Sequence, residues 1–157
     1  MKTIHRIVDN REGVKANAKG DHWHMKAVLT DTRTGKIKHI EEIYNTVTTA
    51  GKNMIADRLL ASPTLGVPTH MAIGTGTGGT TTLTTELDRN AFTTKTRSNA
   101  VVTMVGDWAA GDGTGALTEA GVFDAASAGN MHLYTSFSVI NKGAADALTI
   151  TWTLTIS

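Results

Sequence analysis

The chain has 157 residues, of which 40% are hydrophobic, 5% aromatic and 18% charged, with 16 Gly and no Cys. That length suits a single domain with one modest core, and the lack of Cys excludes a disulfide framework, a cysteine zinc site and a cysteine nucleophile. A formal net charge of +1 gives no reason to expect nucleic acid or an anionic membrane as partner over the whole surface.

The first residues, MKTIHRIVDN, are basic but carry no apolar run of signal-peptide length, and no later run is long enough to cross a bilayer. A soluble protein made in the cytoplasm is expected. Residues 1–22 are polar, mix both charge signs and hold one short apolar cluster at Ile4, Ile7 and Val8. They are read as an arm that orders by lying on a neighbour, against the plainer alternative of a frayed terminus. Up to Leu60, Lys and Arg outnumber Asp and Glu, and beyond it the acids predominate. Such asymmetry suits contacts between subunits.

Residues 23–157 read as one β-rich domain. Trp23 to Thr32 and Lys36 to Tyr44 form a predicted hairpin, with Gly35 supplying the positive φ of its turn. Thr49 is placed as the N-cap of a helix near 49–61, with Ile55 and Leu59 on a narrow apolar stripe beside Met54 and Leu60. Pro63 and Pro68 then bracket a loop. Further on, THMAIG is a short strand and GTGTGGTTT a loop. LTTELDRNAFTTKTR holds a polar link and a strand at Ala91 to Arg97. AVVTMVGDW, LTEAGVF, MHLYTSFSVI and ALTITWTLTI are strands separated by Gly-rich and Asp-rich turns. The last is the plainest: Leu148, Ile150, Trp152, Leu154 and Ile156 alternate with Thr149, Thr151, Thr153 and Thr155, the period of a strand with one buried face. That ridge is expected to pack within the subunit against strands near Val101 to Val105 and Leu133 to Phe137, and against the helix at Ile55 and Leu59. The expected fold is mainly β: an antiparallel β-sandwich or jelly-roll-like barrel with one short α-helix and an extended N-terminal arm.

Motifs for chemistry are weak. Residues 74–79, GTGTGG, lack the Lys-Ser/Thr pair and following helix of a phosphate loop, so their glycines are read as permitting tight turns and close approach. His22 and His24 share one face of a strand, but two ligands are too few for zinc. Asp107 and Asp112 lack the acidic ladder of a calcium loop. Glu86 with Asp88, or Glu119 with Asp124, has no glycosidase-like spacing, and no Ser sits in a nucleophile elbow. No catalytic residue, cofactor or metal is therefore assigned.

Three segments together resemble a group of small virion structural proteins of tailed bacteriophages. The resemblance is carried by Ala72-Ile73-Gly74-Thr75-Gly76 after the helix, by Leu83 with Glu86 and Arg89, by Glu119-Ala120-Gly121-Val122-Phe123, and by the Thr-rich last strand. It covers roughly residues 45–157. It implies a non-enzymatic part of the virus particle, assembled from protein made in the host cytoplasm. The favoured role is a capsid decoration (cement) protein, often trimeric, seated on the major capsid protein, and the alternative is a tail, collar or fibre-attachment protein. Nucleic acid and membrane are not expected partners. Contacts are expected at Ile4, Arg6, Ile7, Arg11 and Lys15 in the arm, at Trp23, Lys36 and Lys38 in the hairpin, and at Gly76 and Trp108 in the loops 74–82 and 106–116. A third reading is a glycan- or receptor-binding β-sandwich module, resting on Trp108, Asp107 and Asp112 sharing one loop.

Overall fold

In the terminal strand, sequence alternation becomes burial alternation: Asp146, Leu148, Ile150, Trp152 and Leu154 are buried and the residues between them are half-exposed. The computed structural model describes residues 22–155, so Ile156 and the arm residues Ile4, Arg6, Ile7, Arg11 and Lys15 lie outside it. Its elements are β1 (His22–Asp31), β2 (Lys36–Tyr44), β3 (Thr46–Val47), α1 (Thr49–Asp57), β4 (His70–Gly74), β5 (Glu86–Ala91), β6 (Thr94–Ser98), β7 (Val101–Trp108), β8 (Gly115–Phe123), β9 (Met131–Lys142) and β10 (Asp146–Thr155). They form two five-stranded antiparallel sheets, ordered β2-β1-β10-β7-β6 and β3-β9-β8-β4-β5. This is the expected mainly-β sandwich with one short helix.

The terminal strand runs down the middle of the first sheet, paired with β1 from His22↔Thr155 to Asp31↔Asp146 and with β7 from Leu148↔Trp108 to Thr155↔Val101. Its apolar face meets the second sheet, so that Trp152, Ile150 and Leu148 share one core with Met71, Ile73, Leu117, Val122, Leu133 and Ile140. Full burial of each such side chain contributes about 1.5–3 kcal/mol relative to exposure. The β1–β2 hairpin forms as expected, and its turn uses Gly35 at φ +67°. Among the described residues no helix is long and apolar enough to cross a membrane.

Two local expectations fail for identifiable reasons. Residues 86–91, expected as a polar link, form β5, and the strand expected at Ala91 to Arg97 is β6, starting only at Thr94. β5 and β6 are each an outer strand of their sheet, where a polar sequence can remain half wet. The helix is capped by Thr48, not Thr49: the Thr48 hydroxyl accepts the Gly51 N–H at 3.1 Å. It is also shorter and differently rotated than the stripe implied. A Cβ on Gly51 would collide with the His132 carbonyl oxygen and fall 2.9 Å from Val47, so this glycine lets α1 lie directly on β9. The buried face is then Gly51, Met54 and Asp57. Ile55 is turned away from the core and Leu59 is 88% exposed.

Beyond α1 the chain is tied back by Asp57, whose carboxylate accepts N–H bonds from Leu65 at 2.9 Å and from Thr64 at 3.0 Å. The Leu65 bond, followed by those from Thr64, holds the Asp57 carboxyl below its usual 3.8. A depressed folded value stabilises the fold above the unfolded one, and that contribution disappears as pH falls from 3.8 through the folded value. Asp57→Asn should therefore lower the urea midpoint at about pH 6 by more than it does at a pH below the folded value, where the native carboxylate is itself protonated. An equal deficit at both pH values would show that the carboxylate charge is not what ties the loop.

Candidate functional site

The outer face of the second sheet carries a loop, residues 75–85, held by one buried carboxylate. β8 turns Leu117, Ala120 and Val122 into the core, leaving Glu119, Gly121 and Phe123 beneath the loop. Glu119 has no exposed surface. Its Oε1 accepts the N–H groups of Thr85 at 2.8 Å and Gly76 at 3.2 Å, and its Oε2 accepts the Thr84 N–H and the Tyr134 hydroxyl, each at 3.2 Å. The same hydroxyl accepts the Gly78 N–H at 2.6 Å. Burial above all raises the pKa of the Tyr134 phenol, with Glu119 adding to the rise, so this hydroxyl keeps the proton it donates.

The glycines make room for this cradle. A Cβ on Gly74 would lie 2.8 Å from Glu119 Oε1, and one on Gly76 would lie 2.6 Å from Thr84. Leu83 fixes the far end of the loop, packing with Ala72, Phe123 and Met131. A Cβ on Gly121 would stand 2.8 Å from Met131 and 3.1 Å from Leu83. Arg89 closes the unit from β5: it lies 3.6 Å over the Phe123 ring, pairs with Glu86 at 2.6 Å, and donates to the carbonyls of Ala125 and Ala128 at 2.9 and 2.8 Å. Thus, of the residues that carry the sequence resemblance, Ala72, Gly74, Gly76, Leu83, Glu86, Arg89, Glu119, Gly121 and Phe123 assemble into one packed unit, whereas Ile73, Ala120 and Val122 point into the core between the sheets and Thr75 is exposed. Chemically it holds a loop still, with both Glu119 oxygens engaged by hydrogen-bond donors.

A second feature lies where the first sheet's inner face meets α1. In register, Trp23, Leu154, Val102 and Arg97 form one cross-strand row, and Met25, Trp152, Met104 and Lys95 the next. Met54 and Ile55 of α1, with Leu59 just beyond it and Val67 and Pro68, form the opposite wall of an apolar cleft of about 480 Å³.

The other expected contact residues are dispersed. Trp23 is half-buried and lines that cleft, whereas Lys36 is exposed at the hairpin turn. Lys38 pairs with Asp146 at 2.7 Å. Gly76 is held by Glu119 as described. Trp108 is corrected: it is the last residue of β7, has no exposed surface, and belongs to the core. A ring without surface cannot stack on a sugar, which removes the basis of the glycan-binding reading. Asp107 instead accepts the Thr149 hydroxyl. His24 meets Tyr44 edge-on at 6.0 Å, and among the described residues no three His, Asp or Glu side chains converge as a metal site.

Sequence reasoning also passed over a buried cation. Lys142 is 2% exposed, and its amine donates to the carbonyls of Ala109 at 2.9 Å and Asp146 at 2.6 Å, pinning the 109–114 turn. Burial pushes its pKa down against the nearby Asp112, Asp146 and Asp88. The signal was present: a lone Lys closing a long apolar strand, like the lone Glu in LTEAGVF.

Comparison of the chain with protein families, with functionally described proteins and with solved structures returns no match.

Truncating Glu119 to Ala would strand four donors beneath the loop, and at about 1–3 kcal/mol for each one left unsatisfied, offset by water entry, a loss of about 3 kcal/mol is expected. Urea denaturation measures it, and limited proteolysis should show new cleavage within residues 75–85. A loss below about 1 kcal/mol with the loop still protected would mean that Leu83, not the carboxylate, holds it.

Proposed function

We propose that the chain is a non-enzymatic structural protein of a tailed-bacteriophage particle, a capsid decoration protein on the outer shell of the head. The observation that carries this reading is the convergence of most of the resemblance residues on the Glu119 cradle. Spread along the chain from Ala72 to Phe123, they meet in one place and serve packing and loop rigidity, as a motif in a building block would. A protein of this kind needs a stiff core and polar loops, plus an arm that adds contacts to neighbours. The rigid Thr-rich loop 75–85, with Thr75, Thr77 and Thr80 exposed to solvent, supplies one such surface, and residues 1–22 supply the arm. A homo-oligomer, with a trimer favoured, and the major capsid protein are the partners this assigns.

Deleting residues 1–22 is expected to leave a folded sandwich, measured by circular dichroism and a cooperative thermal transition, that no longer decorates empty capsids. Full occupancy by the truncated chain would end the arm's role. Recovery of the protein with detached tails, at a copy number far below that of the shell subunits, would replace decoration by the tail or collar reading.

A further inference from the structure

The first sheet ends on one side in β2, which among the described residues pairs with β1 alone. Its nine residues would offer a partner strand about 30 Å of backbone. Which of its groups point outward follows from the pairing. Asn45, just past β2, donates its N–H to the Trp23 carbonyl, so stepping back by twos Ile43, Glu41 and His39 spend their backbone groups on β1. Those of Glu42 and Ile40 face away from it.

The side chains divide in the same way. Ile43, Glu41 and His39 stand opposite the core residues Met25, Ala27 and Leu29, on the inner face, and Glu42 and Ile40 stand opposite Lys26 and Val28, on the outer face. The register slips by one residue at Lys38, so Ile37 falls opposite Thr30 on the outer face, where it is 59% exposed. Lys38 itself reaches inward, to Asp146 at 2.7 Å. A bulge of this kind discourages pairing with a strand of arbitrary sequence.

Charge along β2 changes sign at Ile40: Lys36 and Lys38 precede it, and Glu41 and Glu42 follow. The ion pairs within the chain do not erase the contrast. With Arg33, Asp31 and Asp146 counted, the hairpin end stays net basic, and with Lys26 counted and His39 neutral, the far end stays net acidic. Such a strand repels a copy laid parallel to it and matches one laid antiparallel, where each basic half meets an acidic half. With Ile40 opposite its own copy, Glu41 falls opposite the second copy's His39, beside its bulged Lys38 and one diagonal from its Lys36, all on the inner face. Each copy brings its bulge at the same distance from the axis, so the slip that spoils other pairings is matched in this one. At the sheet's other margin β6 carries only cations, Lys95 and Arg97, and would repel itself.

We infer that β2 is a self-recognition strand: two copies of the chain pair antiparallel through it, about a two-fold axis at Ile40, and join their first sheets into one. The contact is isologous and closes at two copies. It goes beyond the assembly role proposed above, because it needs neither residues 1–21 nor a virus particle, and it links chains in pairs whatever contact builds a trimer. One strand edge is at the small end for a specific interface, so micromolar association is expected.

At a two-fold axis a side chain meets its own copy, which makes Ile40 the position to test. Sedimentation velocity on the full-length chain should show the mass doubling as concentration rises. Ile40→Lys and Ile40→Glu should each weaken that step by at least about tenfold, because like charges then face each other, and an equimolar mixture of the two variants should restore it. Ile40 is half-buried on the outer face of an outer strand, so both variants should keep a cooperative thermal transition. Ile37→Glu, at a position 59% exposed, disturbs the fold least of all; it sets an acid opposite Glu42 of the second copy and should weaken the pairing too. Deleting residues 1–21 should leave the doubling unchanged. The inference is overturned if the chain does not double, if the single variants double like the native chain, or if their mixture associates no more tightly than either alone. It is overturned equally if deleting residues 1–21 abolishes the step, or if the mass grows without limit, as β2 pairing with β6 of the next copy would give.

Discussion

A carboxylate with no surface and, among the described residues, no cation within salt-bridge reach holds the outer loop of the second sheet in place. Glu119 balances its charge with three backbone N–H groups and a phenol, an arrangement that works only when the donors are fixed in advance. The glycines of residues 74–79 let the chain come close enough to present those donors, and Leu83 anchors the far end. The second sheet is thereby covered on both faces, by the first sheet inside and by an irregular segment outside. Without that cover Phe123, Met131 and Ala72 would face water.

The same device recurs at other loops. Asp57 holds residues 64 and 65, Asp124 holds Asn130 through its N–H and side-chain amide, and Lys142 holds Ala109 from the opposite charge sign. In each case a charge leaving the sheet or helix is satisfied by the backbone of the segment beside it. Charged groups make stronger hydrogen bonds than neutral ones, so a few side chains suffice to fix long stretches that lack regular structure. For Asp124, burial works against ionisation, and the bonds from Asn130, with His132 nearby, prevail, leaving its pKa lowered.

What could be read from the sequence follows from the range of the signal. Period-2 alternation is local, so β10 and the β1–β2 hairpin were legible with their faces. The helix was legible as a helix but not in its rotation, because Ile55 and Leu59 mark a stripe while the contact of Gly51 with the His132 carbonyl decides which side goes down. β5 was illegible because Glu86 to Ala91 carries no alternation and pairs through its backbone. Trp108 was misplaced by its neighbourhood: the Gly-rich turn after it suggested a loop, whereas continuing Val102, Met104 and Gly106 by twos carries it into the core. The cradle was visible only as scattered letters, since Glu119 lies 34 residues from Thr85 and 43 from Gly76. The cations of the cleft were visible as TKTRS, but nothing local told which face they occupy.

The position of β1 also decides how the molecule bears load. This strand lies inside the first sheet, zipped to β10 along ten paired positions and to β2 along eight. A pull on the residues before His22, directed along the strand, would shear both ladders together, because every cross-strand bond lies roughly perpendicular to the force. The same pull on a strand hanging at the rim would peel one ladder, bond by bond.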